Sequence, residues 1–507
     1  MSTGGVFTLI SNNGIQDKLI MAIDQLLENI KLIGCNKLGM LKQQFPNLTD
    51  EQLIAKDNAW MPTLAAIEKT HILFVNAKFK PFVAMAHEYS KTIASGGTPN
   101  LGNTFNFKFP IIGEFINDAI LYVKLSGFHA VSALDKVRYV EYLGHRICKK
   151  VSFKVQNFEI DSYGADNLNA YYQFRVPTDK QTGYLRNIGQ EIPSQAFLTA
   201  NPPVDEIREY RWFGYGPQTF KQTQPDVELW IPVLFWFKDL QTSLPNFILP
   251  MQQTGIEVTF ESEQNLVAFA DYGGGGKYAP PQVTSCYLYL NHIFLLPEIN
   301  KIFITRFGFQ LIRVHRAQRE TLIESGGRVL LHNLKWPLEC LYVGFRPQSN
   351  LSQSQLWHRM TSATSSTFYE AVVTGTSLIQ VNQAEWWLES PVIQNMSLSA
   401  MDIIIYPTLS PTFYNSYIPY RYGPRIRTPN DVGWMMINFN FYPGEYQPSG
   451  HFNCSRSREL YLSYLSNLDS NSNYIISPNN PVDLVVLADA INFLLYKDGN
   501  MTLRFST

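Results

Sequence analysis

The chain has 507 residues, of which 45% are hydrophobic and 14% aromatic. As a soft prior, this length predicts two to four domains, and a chain this long buries enough surface to fold without disulfides or metals. Only 16% of the residues are charged and the net charge is −1. These values argue against intrinsic disorder and against a packaging role driven by bulk positive charge.

Neither export nor membrane insertion is expected. The first residues carry no basic segment, and no run of about 18 uncharged apolar residues occurs in the chain. The five cysteines are odd in number and without CxxC spacing, which excludes a zinc ribbon or a redox pair: Cys35, Cys148, Cys286, Cys340 and Cys454. We expect buried, reduced thiols in a protein made in a reducing cytoplasm.

The first 70 residues are predicted to be partly helical. Between Leu19 and Ile30, apolar residues recur at helical spacing with charged and polar residues between them. Thr49 and Gln52 stand at the spacing of a capping box before a second apolar run. We interpret residues 1–70 as a partly helical segment outside the main fold.

From about residue 71 the chain changes to short strand-like segments split by Pro, Gly and Asn. Apolar residues alternate with polar ones in three of them, at residues 105–109, 151–155 and 256–260. This period of two predicts half-buried strands. The scarcity of helix patterns between the strands argues against a parallel β/α sheet, and all-β sandwiches or barrels are predicted.

Two parts of the chain have a similar sequence pattern, separated by an offset of about 200 residues. An aromatic strand, a following strand and a closing apolar strand occur in the same order at 229–237, 256–260 and 291–296, and again at 434–441, 459–464 and 490–495. We interpret this as a tandem duplication of one β-sandwich, joined near residues 297–301. Coincidence among aromatic strands is the alternative.

The search for chemistry finds no catalytic, cofactor-binding or metal-binding residues, and we expect no enzyme. The glycine run at 271–278 lacks the first Gly and the Ser or Thr of a phosphate-binding loop, which predicts an ordinary flexible loop. The nine histidines are scattered without ligand spacing. His292 and His332 are predicted to lie in apolar strands as core or rim residues.

Two basic clusters remain. The first contains Arg313, His315, Arg316 and Arg319, and the second contains Arg421, Arg425 and Arg427 with Tyr420 and Tyr422. Arginines among aromatic residues can bind nucleic acid or sugar, but they are also favoured at protein contacts. In a nearly neutral chain we favour a protein contact or a solvated face.

A sugar-binding or sugar-cleaving tandem β-sandwich is the alternative function. Trp386 and Trp387, beside Glu385 and Glu389, form its best candidate patch.

Several segments resemble one viral family. They include Gly216-Pro217-Gln218-Thr219, Leu229-Trp230-Ile231 and Phe235-Trp236-Phe237 in the first half, and Tyr446-Gln447-Pro448-Ser449-Gly450-His451-Phe452-Asn453 in the second. With landmarks from Gly4-Gly5 to the final Leu503-Arg504-Phe505-Ser506-Thr507, the similarity follows the whole chain in order. The sequence resembles the double jelly-roll major capsid proteins of nucleocytoplasmic large DNA viruses, in particular the asfarvirus type found in African swine fever virus.

The resemblance implies two tandem eight-stranded antiparallel jelly rolls, which we place at residues 71–299 and 300–507. It also implies a homotrimeric, pseudo-hexagonal capsomer in an icosahedral virion shell, assembled in the host cytoplasm. Its implied partners are neighbouring capsomers, minor capsid proteins and, in some members, a dedicated chaperone. The inner membrane beneath the shell is an indirect partner, and direct contact with nucleic acid is not implied.

Overall fold

The computed structural model describes residues 85–190, 194–197, 210–213, 217–249 except 219, 254–270, 277–295, 308–352, 356–374, 377–422, 425–455, 459–469, 472–497 and 500–505, with a few isolated residues outside these ranges. The predicted N-terminal stripe at 19–30, most of the glycine loop and most of the predicted join at 297–301 lie outside them. One detail of the N-terminal segment is described: Gln52 Oε1 accepts a hydrogen bond of 3.2 Å from the Thr49 backbone N–H. This bond is one half of the predicted capping box.

Eight strands form the first sandwich. They are β1 (Met85–Ile93), β2 (Thr104–Lys108), β3 (Phe115–Leu125), β4 (Cys148–Val155), β5 (Phe158–Tyr163), β6 (Val227–Pro232), β7 (Thr254–Phe260) and β8 (Val283–Leu295). One sheet has the order β1-β8-β3-β6 and the other has the order β2-β7-β4-β5. This is the strand order of a jelly roll.

Eight further strands form the second sandwich. They are β9 (Phe309–Leu322), β10 (Gly326–Leu330), β11 (Pro337–Pro347), β12 (Ile393–Ala400), β13 (Ile403–Leu409), β14 (Trp434–Asn438), β15 (Leu460–Ser466) and β16 (Val482–Lys497). Their two sheets have the orders β9-β16-β11-β14 and β10-β15-β12-β13. The second sandwich therefore repeats the strand order of the first, and the predicted fold class is confirmed.

The repeated topology also supports the predicted duplication. The three pairs of similar segments fall in β6 and β14, in β7 and β15, and in β8 and β16, which hold equivalent places in the two sandwiches. The prediction of long aromatic strands is wrong in detail, since β6 ends at Pro232 and β14 at Asn438. Proline cannot donate to a strand ladder, and Trp236–Lys238 forms a 3₁₀ turn instead.

Alternation of apolar and polar residues builds the core as predicted. In β2, Phe105 and Phe107 are fully buried, while the ends of the strand are exposed. Phe153 of β4 packs edge-on against Trp236, with ring centroids 5.2 Å apart. Each sandwich thus encloses an aromatic and aliphatic core between its two sheets.

The prediction that helices are scarce between the strands needs correction. The helices that the structure describes between the strands of the sandwiches are α1 (Leu143–Arg146), α2 (Ala165–Phe174), α3 (Gln181–Asn187), α4 (Gln348–Ser352) and α5 (Ile418–Tyr422). Helices α2 and α3 both lie between β5 and β6. Their sequences escape a search for apolar periodicity because α2 buries polar as well as apolar side chains. Among the described residues, no helix is long and apolar enough to cross a membrane.

Shorter strands decorate the connections of both sandwiches. They are Phe128–Ala130, Lys136–Tyr139, Ser194–Phe197, Tyr210–Phe213, Thr223–Gln224, Leu244–Pro245, Val267–Ala270, Tyr278–Ala279, Phe452–Asn453 and Asn500–Leu503, together with a long hairpin of Thr361–Thr374 and Ser377–Pro391. The hairpin lies between β11 and β12. It contains Trp386 and Trp387, whose backbones pair with Ser366 and Ser365.

Two glycines provide a test of the strand packing. Gly255 lies in β7, where a Cβ atom would collide with the backbone carbonyl of Phe107 in β2, whereas a Cβ atom on Gly183 in α3 would meet nothing within 4 Å. We predict that Gly255→Ala lowers the free energy of unfolding by roughly 1–3 kcal/mol through overpacking. The matched Gly183→Ala raises it by about 0.4–1 kcal/mol, because alanine restricts the unfolded chain. Urea denaturation measures both, and equal effects would contradict the close β2–β7 contact.

Candidate functional site at the junction of the two sandwiches

Helix α2 leaves the first sandwich after β5 and packs against the second. It begins after Gly164, whose N–H donates to Asn167 Oδ1 at 3.2 Å. Only glycine fits at this start without adjustment, since a Cβ atom would lie 2.9 Å from the Lys149 carbonyl oxygen. Nine of the ten residues of α2 are buried, although several are polar. Buried polar groups need partners, and the second sandwich supplies many of them.

The carboxylate of Asp166 in α2 sits between two guanidinium groups of the second sandwich. Arg346 of β11 donates to Oδ1 at 2.8 Å, and Arg319 of β9 lies 2.6 Å from Oδ2. Burial alone would raise the pKa of Asp166, but the charges of Arg346 and Arg319 outweigh it and hold the pKa below its ordinary value. Asp166 is therefore an ionised anchor between the sandwiches.

A second ionic contact lies just past the end of α2. Arg175 donates to the Tyr342 hydroxyl at 3.0 Å and to Asp489 Oδ2 at 2.7 Å. The Tyr342 hydroxyl donates to the same carboxylate oxygen at 3.1 Å. Burial opposes ionisation of Asp489, but Arg175 and His315 outweigh it and lower its pKa. The two contacts fix both ends of α2 on the same sheet.

The first basic cluster lies along β9 and belongs to this junction. Asp161 of β5 accepts hydrogen bonds from the backbone N–H of His315 at 2.8 Å and pairs with its ring Nδ1 at 2.9 Å. Burial alone would lower the pKa of His315, but the Asp161 carboxylate outweighs it and raises the pKa. Arg313 makes a bidentate contact with Glu339, with distances of 2.6 and 3.1 Å.

These partners show how the first cluster is used. Arg316 lies over the Trp336 ring, 3.5 Å from its centroid, and Arg319 is paired with Asp166. All four basic residues of the cluster thus have partners within the chain. His315 and Arg319 contact the first sandwich, whereas Arg313 and Arg316 contact residues of their own sandwich. The cluster is thus used in contacts within the chain, and the predicted contact with another protein stays a prediction.

The second basic cluster is only partly drawn into the junction. Arg427 donates to the backbone carbonyls of Gln173 at 3.1 Å and Tyr172 at 2.9 Å, near the C-terminal end of α2. Arg425 donates to the Gly444 carbonyl at 3.1 Å. Arg421 is exposed and does not join them. The cluster therefore does not form one basic surface.

An apolar layer lies beneath the ionic contacts. The rings of Phe174 and Tyr342 lie 4.9 Å apart. Successive residues of β11 face opposite sides, so that Leu341 and Val343 enter the sandwich core while Cys340 and Tyr342 face α2. The sheet β9-β16-β11-β14 is consequently buried on both faces over much of its area, which makes the junction a second small core.

A cleft of about 870 Å³ opens beside this junction. Arg175, Arg313, His315 and Asp489 line it, and each of them makes one of the contacts described above.

Elsewhere, burial raises the pKa of the Cys148 and Cys454 thiols to about 12, far above that of a reactive thiol. Within the described residues, no group of three or more His, Cys, Asp or Glu side chains is arranged to hold a metal ion.

The two predicted core histidines have different surroundings. His292 lies in β8 and is fully buried, and burial lowers its pKa to about 4 against an opposing backbone hydrogen bond at Ile112. His332 does not lie in a strand but in the turn after β10, where it is exposed. The side chains of Trp386 and Trp387, proposed for sugar stacking, lie outside the described part of the structure.

Sequence reasoning missed the acidic partners of the junction. Asp161, Asp166 and Asp489 form no motif, and 180 residues separate Asp166 from Arg346. The available signal was the composition of α2. This segment is too polar for a helix in an apolar core and too aromatic for a solvent-exposed helix, which is typical of a helix buried in a polar interface.

We predict that Asp166→Asn destabilises the protein by about 3–5 kcal/mol, because it leaves the buried Arg346 guanidinium without a counter-charge. The matched control is Glu159→Gln, which breaks the largely exposed pair with Lys150 and costs less than about 1 kcal/mol. Chemical denaturation of both variants measures the difference. Similar losses would show that Asp166 does not anchor the junction.

Comparison with known families matches both halves of the chain. Residues 74–295 match the family described as the major capsid protein N-terminus, and residues 308–502 match the large eukaryotic DNA virus major capsid protein family. Together the matches span more than four-fifths of the chain, and each covers one sandwich.

Curated relatives agree along the full length. The hexon protein p72 of African swine fever virus, isolate Tick/Malawi/Lil 20-1/1983, is 28% identical over 668 aligned positions that cover 100% of both chains. The major capsid protein of the Pig/Kenya/KEN-50/1950 isolate is also 28% identical with the same coverage. Because the alignment is longer than this chain, the relatives contain segments that this chain lacks.

Solved structures share the fold. The Faustovirus major capsid protein superimposes with a TM-score of 0.74 at 28% identity, covering 95% of this chain and 100% of that one. The PBCV-1 virus capsid protein, at 16% identity and a TM-score of 0.60, covers 86% and 100% respectively and shows the fold alone. With two matched family regions, full-length relatives and a shared double jelly roll, this chain belongs to the major capsid proteins of large eukaryotic DNA viruses.

Proposed function

We propose that this major capsid protein works as a homotrimer whose three chains form a pseudo-hexagonal capsomer, and that these capsomers tile an icosahedral shell. One observation carries the proposal: the two sandwiches have the same strand order and are joined by a buried junction. Three such chains supply six similar sandwiches around one axis. A block of that outline packs on a hexagonal lattice.

The proposed subunit acts through burial and geometry rather than through catalysis. Jelly rolls limit the length of exposed sheet edge, which protects an aromatic-rich chain from edge-to-edge aggregation. Four charged or ionisable side chains that line the cleft, those of Arg175, Arg313, His315 and Asp489, are engaged in structural contacts. These features support a non-enzymatic role in the virion.

The remaining partners follow from the family. We propose neighbouring capsomers and minor capsid proteins as direct partners, the inner membrane as an indirect one, and assembly in the host cytoplasm. Direct nucleic-acid binding is not proposed, because the second basic cluster, its candidate site, does not form one basic surface: Arg425 and Arg427 are bonded within the chain and Arg421 is exposed apart from them. A dedicated chaperone belongs to the proposal only if the purified chain fails to trimerise unaided.

The carbohydrate-binding alternative has no support from the relatives. Family matches, curated relatives and solved structures all name capsid proteins. The capsid function therefore stands as the single proposal.

Native mass tests the trimer directly. Light scattering of the purified protein should give the mass of three chains of 58.0 kDa, 174 kDa together. Denaturation into single chains should reduce that mass threefold. A folded protein that stays at 58.0 kDa in the presence of co-expressed viral assembly factors would contradict the trimer.

We further propose the domain boundaries 1–70, 71–299 and 300–507, supported by family matches that begin at 74 and 308. On this basis the N-terminal segment serves at the capsomer base. Deleting residues 1–40 should leave the trimer mass and melting temperature unchanged but reduce shell assembly severalfold. Normal shells seen by electron microscopy of the truncated protein would refute the basal role.

A further inference from the structure

The two sandwiches differ in how one corresponding sheet face is covered. In the second sandwich, the outward face of β9-β16-β11-β14 is buried under α2 together with Met360, Ile418 of α5 and Ile426. In the first sandwich, the corresponding face of β1-β8-β3-β6 remains partly exposed in the single chain. Trp434 in β14 lies 204 residues after Trp230 in β6. Trp434 is 0% exposed, whereas Trp230 is 37% exposed.

Aromatic residues cover the exposed face. Tyr122 of β3 packs on Trp230 of β6 with ring centroids 4.6 Å apart, and Tyr287 of β8 stacks on Tyr122 at 6.0 Å. Tyr289 lies 5.4 Å from Trp230. We call Tyr122, Trp230, Tyr287 and Tyr289 the aromatic patch. Trp230 is exposed and the three tyrosines are half-buried, and a partly exposed cluster of adjoining rings on a sheet face is typical of a protein contact.

The edge strands of the two sandwiches show the complementary difference. In the first sandwich the edge strand is β5, and Asp161 and Tyr163 of that strand contact His315 in β9 of the second sandwich. The corresponding edge strand of the second sandwich is β13. It leaves Ile403 and Ile404 70% and 67% exposed.

The segments that follow these edge strands also correspond. After β5 comes α2, which covers the neighbouring sheet. After β13 come a π-helical turn, Phe413–Tyr417, and α5. Tyr417 and Tyr420 of this segment are exposed. We call Ile403, Ile404, Tyr417 and Tyr420 the exposed edge.

We propose that the exposed edge of one chain packs on the aromatic patch of the next chain, repeating between chains the contact that β5 and α2 make within a chain. The occupant of the patch is thus a second copy of this protein. The inference rests on the proposed trimer and identifies its interface. Because two different surfaces meet, the contact is head-to-tail, and a ring forms when the rotation closes.

Two double variants test the two surfaces independently. Trp230→Glu with Tyr287→Glu removes the patch, and Ile403→Glu with Ile404→Glu removes the edge. Each variant alone should fall from the trimer mass to the single-chain mass, a threefold loss by light scattering. An equimolar mixture should regain one contact, from the intact edge of one variant to the intact patch of the other, and form a two-chain complex that cannot close into a ring.

Phe158→Glu is the matched control. Phe158 is an exposed aromatic residue in β5, outside both surfaces, and this variant should keep the trimer mass. The two-chain complex itself demonstrates that both test variants are folded. If a glutamate variant does not fold, the milder Trp230→Ala and Ile404→Ser should each raise the dissociation constant of the trimer at least tenfold.

The outcomes distinguish the interface from the trimer. Trimeric wild type together with trimeric patch and edge variants overturns the interface and leaves the proposed function intact. If the patch variant is monomeric but the edge variant stays trimeric, the patch is part of the interface but the exposed edge is not the surface that packs on it. A wild type that never exceeds one chain overturns the trimer, and the interface with it.

Discussion

The contact of the Asp166 carboxylate with Arg346 and Arg319 is the constraint on which the architecture depends. It joins a helix of the first sandwich to two strands of the second, at a site where the charges of Asp166 and Arg346 are almost completely buried and Arg319 keeps about half of its exposure. Buried ion pairs add little net stability but penalise any arrangement that leaves a charge unpaired. The relative orientation of the sandwiches is therefore set by charge matching, with the apolar layer around Phe174 and Tyr342 beneath it.

Some of this fold was readable from the sequence because its signals are local. Phe105 and Phe107 alternate with polar neighbours within five residues, and a strand with one buried face requires that period. The junction was not readable, since Asp166 meets Arg346 only after the chain has built two sheets. Helix α2 was missed for the same reason: its polar side chains are buried against partners that lie far away in sequence. The resemblance supplied the jelly-roll topology that periodicity alone left open between sandwiches and barrels.

The capsid role follows from duplication together with asymmetry. Two sandwiches of the same topology behave as equal blocks, but one of the two corresponding sheet faces is buried within a chain and the other stays partly exposed. One junction of this kind forms within each chain. The two surfaces proposed for the junction between chains, Ile403 and Ile404 at the edge and Trp230 on the sheet, are exposed in the single chain. Such a block gains its proposed function when it is surrounded by copies of itself, and the ionisable groups at its junction make structural contacts.

The most direct test of this account is a cryo-electron microscopy map of the assembled particle, at a resolution that separates individual strands. The account predicts six sandwiches around a threefold axis, with α2 on the second sandwich of its own chain and the exposed edge on the first sandwich of the neighbouring chain, covering Trp230. A threefold particle in which the Trp230 face points to solvent would contradict it. So would a particle in which the contact between chains uses a different sheet and a different edge strand from the contact within a chain.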